Sequence, residues 1–136
     1  MSRNPGRPLS PHLTIWKWGP HMLVSILHRA TGSAMAIGAA SLLIWWLAAA
    51  AGGPAAYATF LDVFTVRSGG LNIVGGLLFV GFTWTFLQHL FSGLRHLVLD
   101  TGAGYELRTN RLWSIATLAG SLTLTALIWA PILAAN

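Results

Sequence analysis

Residues 30–61 read ATGSAMAIGAASLLIWWLAAAAGGPAAYATFL, 32 consecutive positions without an ionised side chain. About 20 apolar residues in a helix, rising about 1.5 Å each, cross the hydrocarbon core of a bilayer, so this run alone is long enough to span one. Working outward, Ser68–Leu94 gives 27 further uncharged positions and Leu112–Asn136 another 25. Such runs are too long for strands, and backbone polar groups in lipid must be paired within a helix or a closed barrel. The expected fold is therefore all-α: an integral membrane protein with three transmembrane helices. Composition agrees, since 54% of the 136 residues are hydrophobic and only 8% charged, against about 25% charged in an ordinary soluble domain.

Local signals set the helix ends. Pro20 after Gly19 suits a first turn, where a missing N–H has no intrahelical partner to lose. The first helix is expected over residues 20–50. The second follows the Gly69-Gly70 break and stops at Asp100 before Thr101-Gly102, over 70–100; the third starts after Asn110 as N-cap and ends near Pro131, over 111–131. Residues 1–19, broken by Pro8 and Pro11 and carrying Leu9, Leu13, Ile15, Trp16 and Trp18, read as an irregular arm along the interface. The apolar continuation greatly exceeds the core of a cleavable signal, so the segment is expected to stay as an anchor. The whole chain, 1–136, reads as one membrane-anchor domain.

Basic residues divide unequally between the two ends of these helices. Arg3, Arg7, Lys17, Arg29, Arg95, Arg108 and Arg111 fall on one side and Arg67 on the other, which places the N-terminus in the cytoplasm and the C-terminus outside. Topology thus accounts for the net charge of +5 without a nucleic-acid partner. With no cysteine, disulfides, thiolate metal sites and cysteine-held iron-sulfur clusters are excluded within this chain. Asp62, Asp100 and Glu106 are too scattered for a paired-carboxylate hydrolase, and Gly102 and Gly104 make no nucleotide-binding loop.

Ionisable groups at membrane depth are costly and ask for a partner or a watery cavity. Ser25 and Arg29 are four residues apart on one helical face, with His28 adjoining, and together offer a hydroxyl and a fixed cation to a carbonyl oxygen on an apolar molecule. The alternative is that Arg29 reaches lipid phosphate while Ser25 bonds back to its own helix. On the second helix His89 and His96 share a face about two turns, or roughly 10 Å, apart, with Gly93 between them and Asp100 beyond. An imidazole there can ligate haem iron while a glycine lets a flat macrocycle approach; alternatively, His89 only bonds a nearby carbonyl or hydroxyl. No second histidine lies at comparable depth, so a bis-histidine haem needs another membrane subunit. Small residues at Gly32, Ala36 and Ala40, and at Gly75, Gly76 and Gly81, read as close-packing faces.

Two motifs carry a resemblance. The stretch from Arg7-Pro8-Leu9-Ser10-Pro11-His12-Leu13 to Ser25-Ile26-Leu27-His28-Arg29-Ala30-Thr31-Gly32, and the pattern H-x-x-x-G-x-R-H-x-x-x-D over His89–Asp100, resemble the cytochrome b membrane-anchor subunit of succinate dehydrogenase, respiratory complex II. The resemblance implies a subunit without a complete active site, in a complex whose flavoprotein (FAD) and iron-sulfur subunits oxidise succinate and pass electrons to ubiquinone. It implies that Ser25 and Arg29 bind quinone, that His89 is an axial ligand of haem b, and that His28, Arg29 and His96 lie near the haem propionates. The second axial ligand and a quinone-bonding tyrosine would come from a second small anchor subunit, and the location would be a bacterial inner membrane. Trp16-Lys17-Trp18 and the connection from Gly52 to Gly69 depart from the pattern. Competing readings are a passive structural anchor without haem or quinone, and a small homo-oligomeric transporter lined by Arg29, His89 and His96.

Overall fold

A computed structural model describes Gly6 and residues 17–135. Of the expected arm over residues 1–19, residues 1–16 apart from Gly6, with Arg3, Arg7, His12 and Trp16, lie outside the described residues. The elements are α1 (Pro20–Ala34), a π-helical turn (Met35–Ala39), α2 (Ala40–Ala51), α3 (Pro54–Phe64), α4 (Ile73–Asp100) and α5 (Leu107–Ala134). The first three run on as one helix, Pro20–Ala51, and with α4 and α5 make three helices long and apolar enough to cross a membrane. Helices α1, α4 and α5 pack on one another, while α2 and α3 pair beside one end of α4.

Pro20 opens α1 as the sequence suggests, after an extended Gly19. Within the π turn the Ala40 N–H reaches back five residues to the Met35 carbonyl, widening the helix by one residue. The small residue there has a use: a Cβ on Gly38 would lie 2.9 Å from the Phe82 ring of α4.

Three sequence-based boundaries are corrected. Helix α5 starts at Leu107 after Glu106, so Asn110 lies inside the helix and is not its cap. Nor does Pro131 end α5, which continues to Ala134 with the proline inside its last turn. Helix α4 does follow the Gly69-Gly70 break but starts at Ile73 rather than at 70, capped by Asn72: its Oδ1 accepts from Gly75 N–H at 2.9 Å while its Nδ2 donates to the Val63 carbonyl at 2.9 Å. The glycines make the turn before it, as the sequence suggests. Gly69 has φ 90°, and Val66 N–H bonds the Gly70 carbonyl at 2.8 Å.

Helix α3 is an addition to the three expected helices. Gly53, at φ 90°, turns the chain so that Pro54 can open it. It lays Phe60 and Phe64 against Ala49, Leu42, Leu78 and Phe79. Gly75 meets the Phe64 carbonyl so closely that a Cβ would collide with it. Gly76 and Gly81, expected in the same packing face, have open space where a Cβ would go.

Burial is inverted relative to a soluble protein. Ile73, Leu77 and Leu107 are 83%, 74% and 75% exposed, whereas Gln88, Ser92, Ser114 and Ser121 are fully buried. Apolar side chains gain nothing by leaving lipid, so contact among transmembrane helices falls to small and hydrogen-bonding residues. Ser114, Thr117, Ser121 and Thr125 form the stripe by which α5 meets α4, and Ser121 Oγ donates to Gln88 Oε1 at 2.7 Å.

Candidate functional site

The end of the bundle where α1 begins and α4 finishes holds a cleft of about 510 Å³. Ser25 and Arg29 of α1 line one side, and Arg95, His96 and Asp100 of α4 line the other. Gly102 and Gly104, at φ 86° and 81°, turn the chain beyond α4 and bring Tyr105 to the rim; Trp18, Met22, Ile26 and Leu99 supply the apolar wall. A ligand here meets cations and a hydroxyl across an oily floor. Ser25 does not bond back to its own helix among the described residues, so its hydroxyl is free for a ligand.

Arg95 enters the sequence reading as a topological charge and as the arginine of the H-x-x-x-G-x-R-H pattern. It is 6% exposed, and Nη2 donates to Asn110 Oδ1 at 2.6 Å. That bond ties the last turns of α4 to the first turns of α5 and explains why Asn110 is unavailable as a cap. The Arg95 Nε has no hydrogen-bond partner among the described residues.

Deeper than the cleft, α1 and α4 exchange contacts through two matching three-residue steps, His28 to Thr31 and His89 to Ser92. His28 Nδ1 lies 2.7 Å from Ser92 Oγ, and His89 Nδ1 lies 3.0 Å from the His28 carbonyl and 3.2 Å from Thr31 Oγ1. The Ser92 hydroxyl has one proton, directed at the carbonyls of Gln88 and His89 at 2.7 and 3.0 Å. Ser92 Oγ therefore accepts from His28, which carries its proton on Nδ1. A carbonyl can only accept, so His89 is also protonated on Nδ1 and its Nε2 keeps a lone pair. Nε2 has no hydrogen-bond partner among the described residues.

The two imidazoles stack with centroids 4.0 Å apart and planes 10° apart, and the His96 ring lies 4.9 Å from that of His28, which corrects the expectation that no second histidine of this chain lies at the depth of His89. Gly32 makes room for this, since a Cβ there would come within 2.9 Å of His89 Cε1. Gly93 faces His28 instead, at an ordinary 3.7 Å. The structure thus gathers Ser25, His28, Arg29, His89 and His96 at one end of one bundle. Sequence reasoning missed Thr31 and Ser92. A usable signal existed for the hydroxyls: each follows its histidine by three residues and so shares its helical face.

Residues 3–128 match the model of the succinate dehydrogenase/fumarate reductase transmembrane subunit family. The chain belongs to that family. The succinate dehydrogenase cytochrome b556 subunit of Paracoccus denitrificans is 39% identical over 121 residues, covering 89% of this chain and 88% of that protein. The cytochrome b556 subunit of Rickettsia prowazekii is 32% identical over 123 residues, covering 90% of each. The cytochrome b560 subunit of Reclinomonas americana is 33% identical over 133 residues, covering 95% of this chain and 88% of that protein. As a succinate dehydrogenase transmembrane subunit the chain is a multi-pass, non-catalytic anchor of an enzyme complex, and the family match spans both the cleft and the histidine pair.

Proposed function

We propose that this transmembrane subunit forms part of the ubiquinone-reduction site of succinate dehydrogenase and holds a haem b through His89, with Ser25 and Arg29 binding quinone and His28, Arg29 and His96 beside the haem propionates. The flavoprotein and iron-sulfur subunits supply the electrons, and a second small anchor subunit supplies the other axial ligand. The N-terminus and the cleft face the cytoplasm of a bacterial cell, and the C-terminus faces the periplasm.

One observation carries this reading: the hydroxyl of Ser25 and the guanidinium of Arg29 line an open, largely apolar cleft whose far wall carries Arg95, His96 and Asp100. Quinone has that character, an oily ring with hydrogen-bond-accepting oxygens. The Ser25 hydroxyl donates to a carbonyl oxygen, and Arg29 stabilises the negative charge that grows there as two electrons arrive. Two protons complete the quinol. Arginine holds its own proton too tightly to give it up, so water at the mouth supplies them, ordered by the Asp100 carboxylate and the His96 imidazole on the cleft wall.

The residues fit a haem. His89 is fixed by the His28 carbonyl and Thr31 with Nε2 bare, the state in which an imidazole ligates iron and its other nitrogen donates to a carbonyl or similar group behind it. When bound, haem supplies a one-electron store beside the cleft. The deciding experiment is Arg29→Ala in the assembled complex. Loss of a charge-assisted hydrogen bond of about 1.5–3 kcal/mol lowers succinate-to-quinone turnover roughly 10- to 150-fold, while succinate oxidation by a soluble acceptor stays normal. Unchanged quinone turnover refutes the role.

A further inference from the structure

We infer that Ser92 is a positioning residue for the histidine pair: its buried hydroxyl fixes the His28 ring, and His28 in turn holds the face and the Nδ1 of His89. This rests on the reading of His89 as haem ligand, and goes beyond it by placing part of the ligand's support in a residue that contacts neither iron nor quinone.

Ser92 is fully buried and its proton is committed to the backbone of its own helix, so the oxygen presents a lone pair in a set direction. His28 Nδ1 donates to that lone pair at 2.7 Å. The bond fixes three things at once: the tautomer of His28, the plane of its ring, and the seat of its backbone segment against α4. Both of the last two touch His89, through the 4.0 Å parallel stack and through the 3.0 Å bond from His89 Nδ1 to the His28 carbonyl. Thr31 reciprocates from α1: its Oγ1 proton is directed at the Leu27 carbonyl at 2.7 Å, leaving a lone pair for His89 Nδ1 at 3.2 Å. The arrangement is a double latch in which each helix supplies one histidine and one hydroxyl to the other. Removing the Ser92 oxygen leaves the His28 N–H inside the bundle without its acceptor and frees the ring to rotate off His89.

Groups that orient a metal-bound histidine typically change affinity or activity by about 10- to 100-fold when lost. The test uses the whole purified complex, comparing wild type, Ser92→Ala, Ser92→Thr, His28→Ala and the Ser92→Ala/His28→Ala double variant. The readouts are the haem content after dilution in detergent and the low-spin ferric EPR signal. Ser92→Ala is expected to shift the EPR g values and to lose haem about 10-fold more readily. Ser92→Thr keeps the hydroxyl in the i−4 geometry that Thr31 and Thr117 already adopt, and is expected to restore both. Because the effect runs through His28, the double variant is expected to match His28→Ala.

Wild-type EPR and haem retention in Ser92→Ala, or full additivity with His28→Ala, overturns the inference. If Ser92→Ala does not assemble, Ser92→Cys replaces it, being close in shape and a weak hydrogen-bond partner. A b-type spectrum present in wild type, lost in His89→Ala and unaltered in Ser92→Ala sinks this inference alone. A colourless wild-type complex sinks it together with the haem reading.

Discussion

Around Ala49, Phe60 and Phe64 the buried atoms are carbon, with aromatic rings meeting edge to face at 5.0–5.7 Å. Around Gln88, Ser92 and Ser121 the buried side chains are polar and joined by hydrogen bonds. Both regions lie in one chain and share α4, so the difference comes from what each does. The aromatic end docks the short helix α3, which joins the bundle by packing and by two bonds from Asn72 to the carbonyls of its last residues, Val63 and Phe64. The polar end holds helices that lipid would solvate equally well apart, and there directed bonds fix which face meets which. Burying polar groups also gives a site its geometry, because a hydrogen bond has a direction and a methyl contact has none. The two ends should therefore respond to substitution in different currencies: stability at the aromatic end, spectrum and turnover at the polar end.

The largest expected effect is at the polar end. His89→Ala should abolish the b-type absorption of the purified complex while leaving its subunits together, and a normal reduced-minus-oxidised spectrum would remove the ligand assignment. At the aromatic end Phe60→Ala should cost about 3–5 kcal/mol, the usual range for emptying a buried aromatic site, seen as a lower thermal midpoint with colour and quinone turnover retained. Gly75→Ala drives a methyl into the Phe64 carbonyl and is expected to cost about 1–3 kcal/mol by overpacking, again with an unchanged spectrum. A spectral change in either variant would show that the two ends are coupled. The smallest effect is expected for Ser121→Ala, which removes the bond to Gln88. Hydrogen bonds between transmembrane helices average about 0.6 kcal/mol, so the thermal midpoint should move little and the spectrum not at all.

How far these two ends could be read in advance depends on the range of the signal. Three spans, their order and the start at Pro20 follow from runs of uncharged residues and one proline, both local. The site's histidines and Arg29 stand out because an ionisable group in such a run is rare. Helix α3 was hidden because Gly52-Gly53 and Gly69-Gly70 read as the edges of a single connection, although Pro54 after Gly53 repeats the start signal of Pro20 after Gly19. The misplaced start of α5 has a tertiary cause: Asn110 is a good capping residue by type, but its side chain is taken by Arg95, 15 positions earlier. Ser92 and Thr31 were passed over because a hydroxyl in a lipid-facing helix ordinarily bonds its own backbone. Both do that as well, and only the second lone pair, which no sequence pattern displays, reaches the neighbouring helix.

The π turn at Met35–Ala39 has a consequence for anyone grafting parts of this subunit onto a relative. One residue added to a plain α-helix turns every later side chain by about 100°; the wide turn takes that residue up locally, so α2 still faces α3 and α1 still faces α4. Numbering beyond the turn therefore runs one residue ahead of an unbroken helix, and a chimera spliced between Thr31 and Leu42 onto a relative without the wide turn needs a one-residue gap. Removing Ala36 would close the turn to an ordinary one, with Ala49 still toward Phe60 and both histidines in register.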